Sequence, residues 1–234
     1  MQKDVQLSLF GPPVGRISQR RTKKRLNPHH ANTLRWDLWT QESNSEQFMA
    51  LFFLDIRDFS PLTQREHARD VINIITKLFS TFRTLIRIHH GRIIETTGDG
   101  FYAAFGFDRN PSQAVNDAVS AGYSILNTLE RLNDETLASR LGRRIQVGIG
   151  IHAGEVATGE IDLNGSNHLL VMGHAVTVAS RIQSVTRVVN NDFLISASAF
   201  RRLPTQNDQL TPITTNLKGI TDPVDVYAIG QKYF

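Results

Sequence analysis

Two acids stand where a carboxylate can do chemistry. Asp55 follows an apolar run, Phe48 to Leu54, that has the length of a buried strand. Asp99 lies 44 residues later, between Gly98 and Gly100, in the stretch GRIIETTGDGFYAAF from Gly91 to Phe105. That stretch reads as strand, tight turn, strand. A glycine on each side of the aspartate lets the chain reverse with positive φ at little steric cost. The interval between the acids has room for one helix. If the first strand pairs beside the hairpin, both carboxylates meet at one edge of a sheet. Such a pair suits a hard divalent cation such as Mg²⁺, which takes oxygen ligands at about 2.0–2.1 Å. The same residues could also serve only as a hairpin turn and a strand-end helix cap.

The elements that would hold these acids follow from periodicity. Residues 48–56 form the first expected strand. Ser60 as cap and Pro61 in the first turn open a helix to about residue 88. Val71, Ile74, Ile75, Leu78, Phe79, Phe82 and Ile86 fall on its inner face. After the hairpin, Pro111 opens a second helix with Ala114, Ala118, Ala121, Ile125 and Leu129 inward. Residues 144–152 alternate as a strand, and 153–159 read as a further strand or turn. Asn164-Gly165 marks a turn before a strand at 168–172. A helix over 173–186 and strands near 192–195, 213–217 and 224–229 complete the chain. The order β-α-β-β-α-β is the ferredoxin-like unit, extended by a C-terminal α/β piece. The expected class is therefore α/β (α+β), without internal repeats.

Composition excludes some chemistries. The 234 residues include no cysteine, so disulfides and thiolate metal sites are ruled out. The longest apolar run has seven residues, Phe48 to Leu54, against roughly 18 or more for a membrane span. With no signal-peptide pattern, the expectation is a soluble, cytoplasmic protein. Of 26 basic residues, seven fall within residues 1–30 beside a single acid, whereas the remaining 19 are set against 21 acids. The high pI thus belongs to a tail, and contact with nucleic acid or an acidic surface through that tail is a secondary expectation. Trp36 and Trp39 mark a docking arm. The expected organisation is a basic tail and arm over 1–46 and one catalytic domain over 47–234. Five histidines (His89, His90, His152, His168, His174) lack the spacing of a metal site and read as structural or surface residues.

Five ordered blocks now resemble one family, the class III nucleotidyl cyclases. LFFLDIRDFSPLT is similar to their first metal strand and ETTGDGFYAAFG to their second metal hairpin. VGIGIHAGEVATG resembles the next strand pair, VMGHAVTVASRIQS the helix with the catalytic arginine, and LKGITDPVDVYAI the terminal lysine-glycine strand. The resemblance implies cyclisation of a nucleoside triphosphate to a 3′,5′-cyclic nucleotide with release of pyrophosphate. It implies two cations, Mg²⁺ or Mn²⁺, held by Asp55, Asp99 and the carbonyl of Ile56. Phosphate would be received at the amides of Asp58, Phe59 and Ser60 and by Lys218, with Arg181 at the α-phosphate. It also implies a head-to-tail homodimer, one protomer supplying the metal carboxylates and its partner the base readers, Arg181 and Lys218.

This chain departs from the family at several positions. Thr177 stands where Asn is usual, four residues before Arg181. Asp58 stands where Gly is common, an added negative charge that the neighbouring Arg57 would offset. Glu95 and Leu170 occupy the base-reading positions. A carboxylate at 95 resembles the guanine readers, and Glu95 with Leu170 resembles the pyrimidine (uridylate or cytidylate) cyclases of bacterial antiphage signalling; adenine fits least. The alternatives are a catalytically weakened nucleotide-binding regulatory module and an adenylate cyclase with an unusual base pocket.

Overall fold

The computed structural model describes residues 45–163, 166–207 and 209–233. Nearly all of the expected tail and arm, with both tryptophans, lies outside these residues, as does the Asn164-Gly165 turn. The strand β1 spans Ser45–Ile56, opening two residues before the expected domain boundary. Helices α1 (Phe59–Arg65) and α2 (Ala68–Ile88) follow, then β2 (Gly91–Thr97) and β3 (Gly100–Phe105). Helix α3 (Pro111–Leu132) runs on through a π turn at Asn133–Leu137 into α4 (Ala138–Leu141). The second half holds β4 (Val147–Leu163), β5 (Ser166–Met172), α5 (His174–Val189), β6 (Phe193–Ser196), α6 (Ala197–Phe200), β7 (Ile213–Thr215) and β8 (Val224–Ala228).

The sheet order is β2-β3-β1-β4-β6-β8-β7, with β5 paired to β4 off this path. Its first four strands are the ferredoxin-like unit, and the α/β extension continues it through β6, which runs parallel to β4. Side chains alternate across β1. Ala50, Phe52, Leu54 and Ile56 point into the core under α2 and α3, while Met49 and Leu51 pack with Ala175 and Ala179 of α5 on the other face. Asp55 continues that second set, so alternation alone turns it toward the face that α5 covers.

Two expectations are corrected. The single helix to residue 88 is broken: Glu66 and His67 are extended and cap α1 and α2. The apolar period that supports the long helix begins only at Val71, so nothing buried carries the helix through residues 66 and 67. The strand-or-turn at 153–159 is the continuation of one 17-residue strand. Its first part pairs with β1 and β6 and its end with β5, so the small residues there mark a change of neighbour rather than a reversal.

Close helix–sheet contact explains the glycines of β4. A Cβ on Gly150 would lie 2.2 Å from the backbone nitrogen of Gln183, and one on Gly154 would lie 2.9 Å from the Ala175 Cβ. Helix α5 therefore rests directly on β4, and the Gln183 amide donates to the Gly148 carbonyl at 3.3 Å.

Candidate active site

The two acids meet as the hairpin requires. Asp55 pairs across β1–β3 with Gly100, and the Ile56 amide donates to the Asp99 carbonyl at 2.9 Å. A Cβ at Gly100 would sit 2.5 Å from the Leu54 carbonyl, so the second glycine is needed for space. Gly98 has φ 57°, the left-handed turn position that the sequence suggests. Burial, and then the Asp99 charge, push the Asp55 carboxyl from 3.8 up to about 6; Arg57 and Arg187 pull the other way. The two side chains are close enough for the Asp99 charge to act on Asp55. Crowded carboxylates of this kind fit a divalent cation, whose charge relieves the repulsion and the cost of burial. Asp55, Asp99 and the Ile56 carbonyl would hold it. Among the described residues no cluster of three or more His, Cys, Asp or Glu gathers at one point. Two carboxylates completed by substrate phosphates are the usual way of holding Mg²⁺.

The turn after β1 begins α1. Asp58 is its N-cap, with φ 51° and ψ 39°. This left-handed conformation is one that glycine adopts freely and aspartate tolerates. The Leu62 amide donates to the Asp58 carbonyl, while the first-turn amides at Phe59 and Ser60 have no helical partner by geometry. The expectation that Arg57 offsets the Asp58 carboxylate is corrected. Arg57 is turned inward and is only 6% exposed. The cation near Asp58 is Arg187, at 3.8 Å, and Arg143 donates to the Asp58 carbonyl at 3.2 Å.

A second group of expected residues converges elsewhere. Glu95 of β2 and Thr177 and Arg181 of α5 line one open cavity of about 300 Å³, with Phe53, Tyr102 and Ser180. Thr177 and Arg181 are one helical turn apart and so share a face. Tyr102 closes the floor. Its hydroxyl donates to the Val171 carbonyl at 2.7 Å, and burial followed by the nearby Glu95 charge pushes it up to about 12. The Arg181 Nε is buried without a hydrogen-bond partner among the described residues. Phe53, stacked on Tyr102 at 4.9 Å, was not expected in the site. Its alternation with Asp55 along β1 is the signal that could have found it.

Leu170 and Lys218 stand apart from this cavity. Leu170 is exposed on β5, opposite Gly159, and is not part of the lining. Lys218 lies exposed in the β7–β8 connection, anchored by the buried Leu217 and followed by Gly219 at φ 79°. Strand β8 is three spacings from β1, roughly 14 Å at the usual inter-strand distance.

His152 is held at about 4 by burial and by the neighbouring His174 and Arg202, and it bonds Ser196 Oγ at 2.8 Å. His89 bonds Ser124 Oγ at 2.9 Å. No helix among the described residues is long and apolar enough to cross a membrane.

A ferredoxin-like sheet with paired carboxylates where β1 ends beside the start of β3, and an arginine on the crossing helix, defines a class, and the sequence agrees with it. Residues 40–230 match the adenylate and guanylate cyclase catalytic domain, and the chain belongs to that family. An adenylate cyclase of Anabaena cylindrica is 27% identical over 192 residues, 79% of this chain and 37% of that protein. The receptor-type guanylate cyclase gcy-6 of Caenorhabditis elegans is 30% identical over 146 residues, 62% of this chain and 13% of that one. The chain thus spans well under half the length of these relatives. The fold matches the adenylyl cyclase CyaB of P. aeruginosa with a TM-score of 0.71 at 20% identity, covering 82% of this chain and 98% of that one.

Proposed function

We propose that the chain is a nucleotidyl cyclase, working as a homodimer with two shared sites. The observation that carries this reading is the division of charge within one protomer. Asp55 and Asp99 form one half-site, while Glu95, Thr177 and Arg181 line a separate cavity. The cations acting most on Asp55 are Arg57 and Arg187, not Arg181. Lys218 lies toward the far edge of the sheet. A head-to-tail pair would bring each half to its complement. The cavity volume also fits a half-site, since it lies at the low end of the roughly 300–1,000 Å³ usual for ligand pockets.

The chemistry follows from the groups. The 3′-oxygen of the ribose attacks the α-phosphorus, and the bond to the β-phosphate breaks to release pyrophosphate. Asp55 and Asp99 would hold Mg²⁺ or Mn²⁺, which when bound acidifies the attacking hydroxyl and neutralises the leaving phosphates. The first-turn amides of α1 receive phosphate oxygens from the same protomer. The partner protomer's copy of Arg181 supplies a planar, permanently charged donor set where charge grows on the α-phosphate. Its Nε holds no bond among the described residues that would have to be broken first. The partner protomer's copy of Lys218 neutralises the terminal phosphates.

Glu95 reads the base. A carboxylate accepts hydrogen bonds and donates none, which suits an edge bearing N–H groups. Guanine offers it two adjacent N–H groups, uracil one and cytosine its amino group; adenine has an amino group too, but the resemblance makes it least favoured, since its readers place a lysine at this position. Leu170, the other position the resemblance assigns to base reading, lies outside this cavity and supplies no donor for a guanine carbonyl, so guanine and a pyrimidine, as in antiphage signalling, both remain open. A regulatory, catalytically weakened module is the second reading, because Thr177 has a shorter reach than asparagine. The test is incubation with each of the four ribonucleoside triphosphates and Mn²⁺ or Mg²⁺, resolving the products. A 3′,5′-cyclic product from GTP, UTP or CTP is expected. No cyclic product from any of the four would leave the regulatory reading.

A further inference from the structure

Arg57 immediately follows the metal strand, yet it faces neither solvent nor substrate. Its side chain is buried between three parts of the fold. The Nη2 donates to the Thr186 hydroxyl on α5 and, at 2.6 Å, to the Tyr233 hydroxyl in the segment after β8. The guanidinium also lies over the Tyr233 ring, 4.6 Å from its centroid. Tyr233 in turn donates to the Val147 carbonyl of β4 at 3.0 Å. Gly148 makes room, since a Cβ there would lie 2.5 Å from Arg57 Nη2 and 2.6 Å from Thr186 Oγ1. The backbone of residue 57 is fixed as well: its amide donates to the Gln146 carbonyl at 2.8 Å, and its carbonyl accepts from Arg143.

A buried guanidinium is costly to desolvate; here the Nη2 donors are met, while the Arg57 Nε is buried without a hydrogen-bond partner among the described residues. Here the partners come from positions 129 and 176 residues away in sequence. Together they tie the last turn of β1 to the helix that carries Arg181.

We propose that Arg57 is a positioning residue, clamping the end of the metal strand between α5 and Tyr233 so that Asp55 is held in register to bind a cation. The residue touches neither cation nor substrate. Tyr233 belongs to the same device, so a residue after the last strand sets metal affinity. Thr186 lies little more than one helical turn beyond Arg181, so the clamp also references both half-sites of a protomer to one point. This inference rests on the carboxylates binding a divalent cation, as in the function proposed above.

The experiment uses the full chain and Mn²⁺ alone, with free Mn²⁺ counted by electron paramagnetic resonance. Asp55→Asn removes the site and serves as the reference for no binding. Tyr233→Phe keeps the ring beneath the guanidinium but deletes both hydroxyl bonds. Its Mn²⁺ dissociation constant is expected to rise about threefold to tenfold, below the ~10–100-fold cost of losing a partner bonded directly to a ligand. Arg57→Lys cannot span Thr186 and Tyr233 together, and a larger rise is expected. In turnover, saturating Mn²⁺ should restore kcat toward wild type in Tyr233→Phe, leaving the defect in metal dependence.

Lower melting temperatures with unchanged Mn²⁺ binding in both variants would overturn the proposal and leave Arg57 a packing residue only. If the wild type makes no cyclic product but the variants still lose Mn²⁺ affinity, the clamp stands and the cyclase reading falls. If product forms and Mn²⁺ affinity is indifferent to residues 57 and 233, the clamp alone falls.

Discussion

Replacing Asp55 by Asn should make the metal-free protein more stable while abolishing its activity. In the folded chain the Asp55 carboxyl is lifted from 3.8 to about 6 by burial and by Asp99. At neutral pH the fold therefore holds a carboxylate whose charge costs more than it does in the unfolded chain. Translated in full, a shift of this size is about 3 kcal/mol of destabilisation. The group is only half-buried, so solvent screening reduces that to about 1–2 kcal/mol. An amide of the same shape removes the charge and the repulsion. For a domain of this size the gain corresponds to roughly 2–8 °C in melting temperature. The pH dependence has a definite sign. Between about pH 4 and 6 the folded state binds the Asp55 proton and the unfolded chain releases it, so this contribution to stability falls as pH rises. His152 acts oppositely. Its pKa is held at about 4 against an ordinary 6.5, so its contribution rises with pH over much of the same window. The informative quantity is the difference between wild type and Asp55→Asn, in which His152 cancels. Thermal melts in chelator from pH 4 to 8 should show the variant ahead at pH 7.5 and the gap closing toward pH 4. Added Mn²⁺ should raise only the wild type. A variant that melts at or below wild type at pH 7.5, or a gap undiminished at pH 4, would refute the assignment of a strained carboxylate pair.

Other substitutions probe the remaining groups. Arg181→Ala should lower kcat by about 10²–10³ with little change in melting temperature, because its Nε has no partner to lose among the described residues; a large stability loss would count against a substrate-facing role. Mixing Asp55→Ala with Arg181→Ala should recover about a quarter of wild-type activity. Half of randomly assorted dimers are mixed, and each rebuilds one of two sites; no recovery, with mixed dimers demonstrated, would contradict shared sites. Glu95→Lys exchanges an acceptor for a donor and should shift the product profile toward adenine by at least tenfold; an unchanged profile would remove Glu95 from base reading.

Much of this site was legible because its signals are local. The GDG turn, the apolar run before Asp55 and the one-turn spacing of Thr177 and Arg181 are short-range patterns, and each lies where sequence places it. Strand order followed from the βαββαβ sequence because that unit has few ways to close. What could not be read depends on distant partners. Arg57 looks like a surface cation beside Asp58, and only Tyr233, Thr186 and the missing side chain of Gly148 turn it inward. The break between α1 and α2 carries no proline or glycine to announce it. The unity of β4 was hidden because its neighbours change midway, from β1 to β5.

The contact between α5 and β4 limits how the protein can be switched. With the Gln183 backbone seated on Gly150, the helix cannot slide or roll across the sheet without collision. A densely packed seam of this kind does not deform gradually. In the homodimer proposed above, a stimulus that redirects Arg181 would therefore act by turning whole protomers against each other rather than by moving α5 within one.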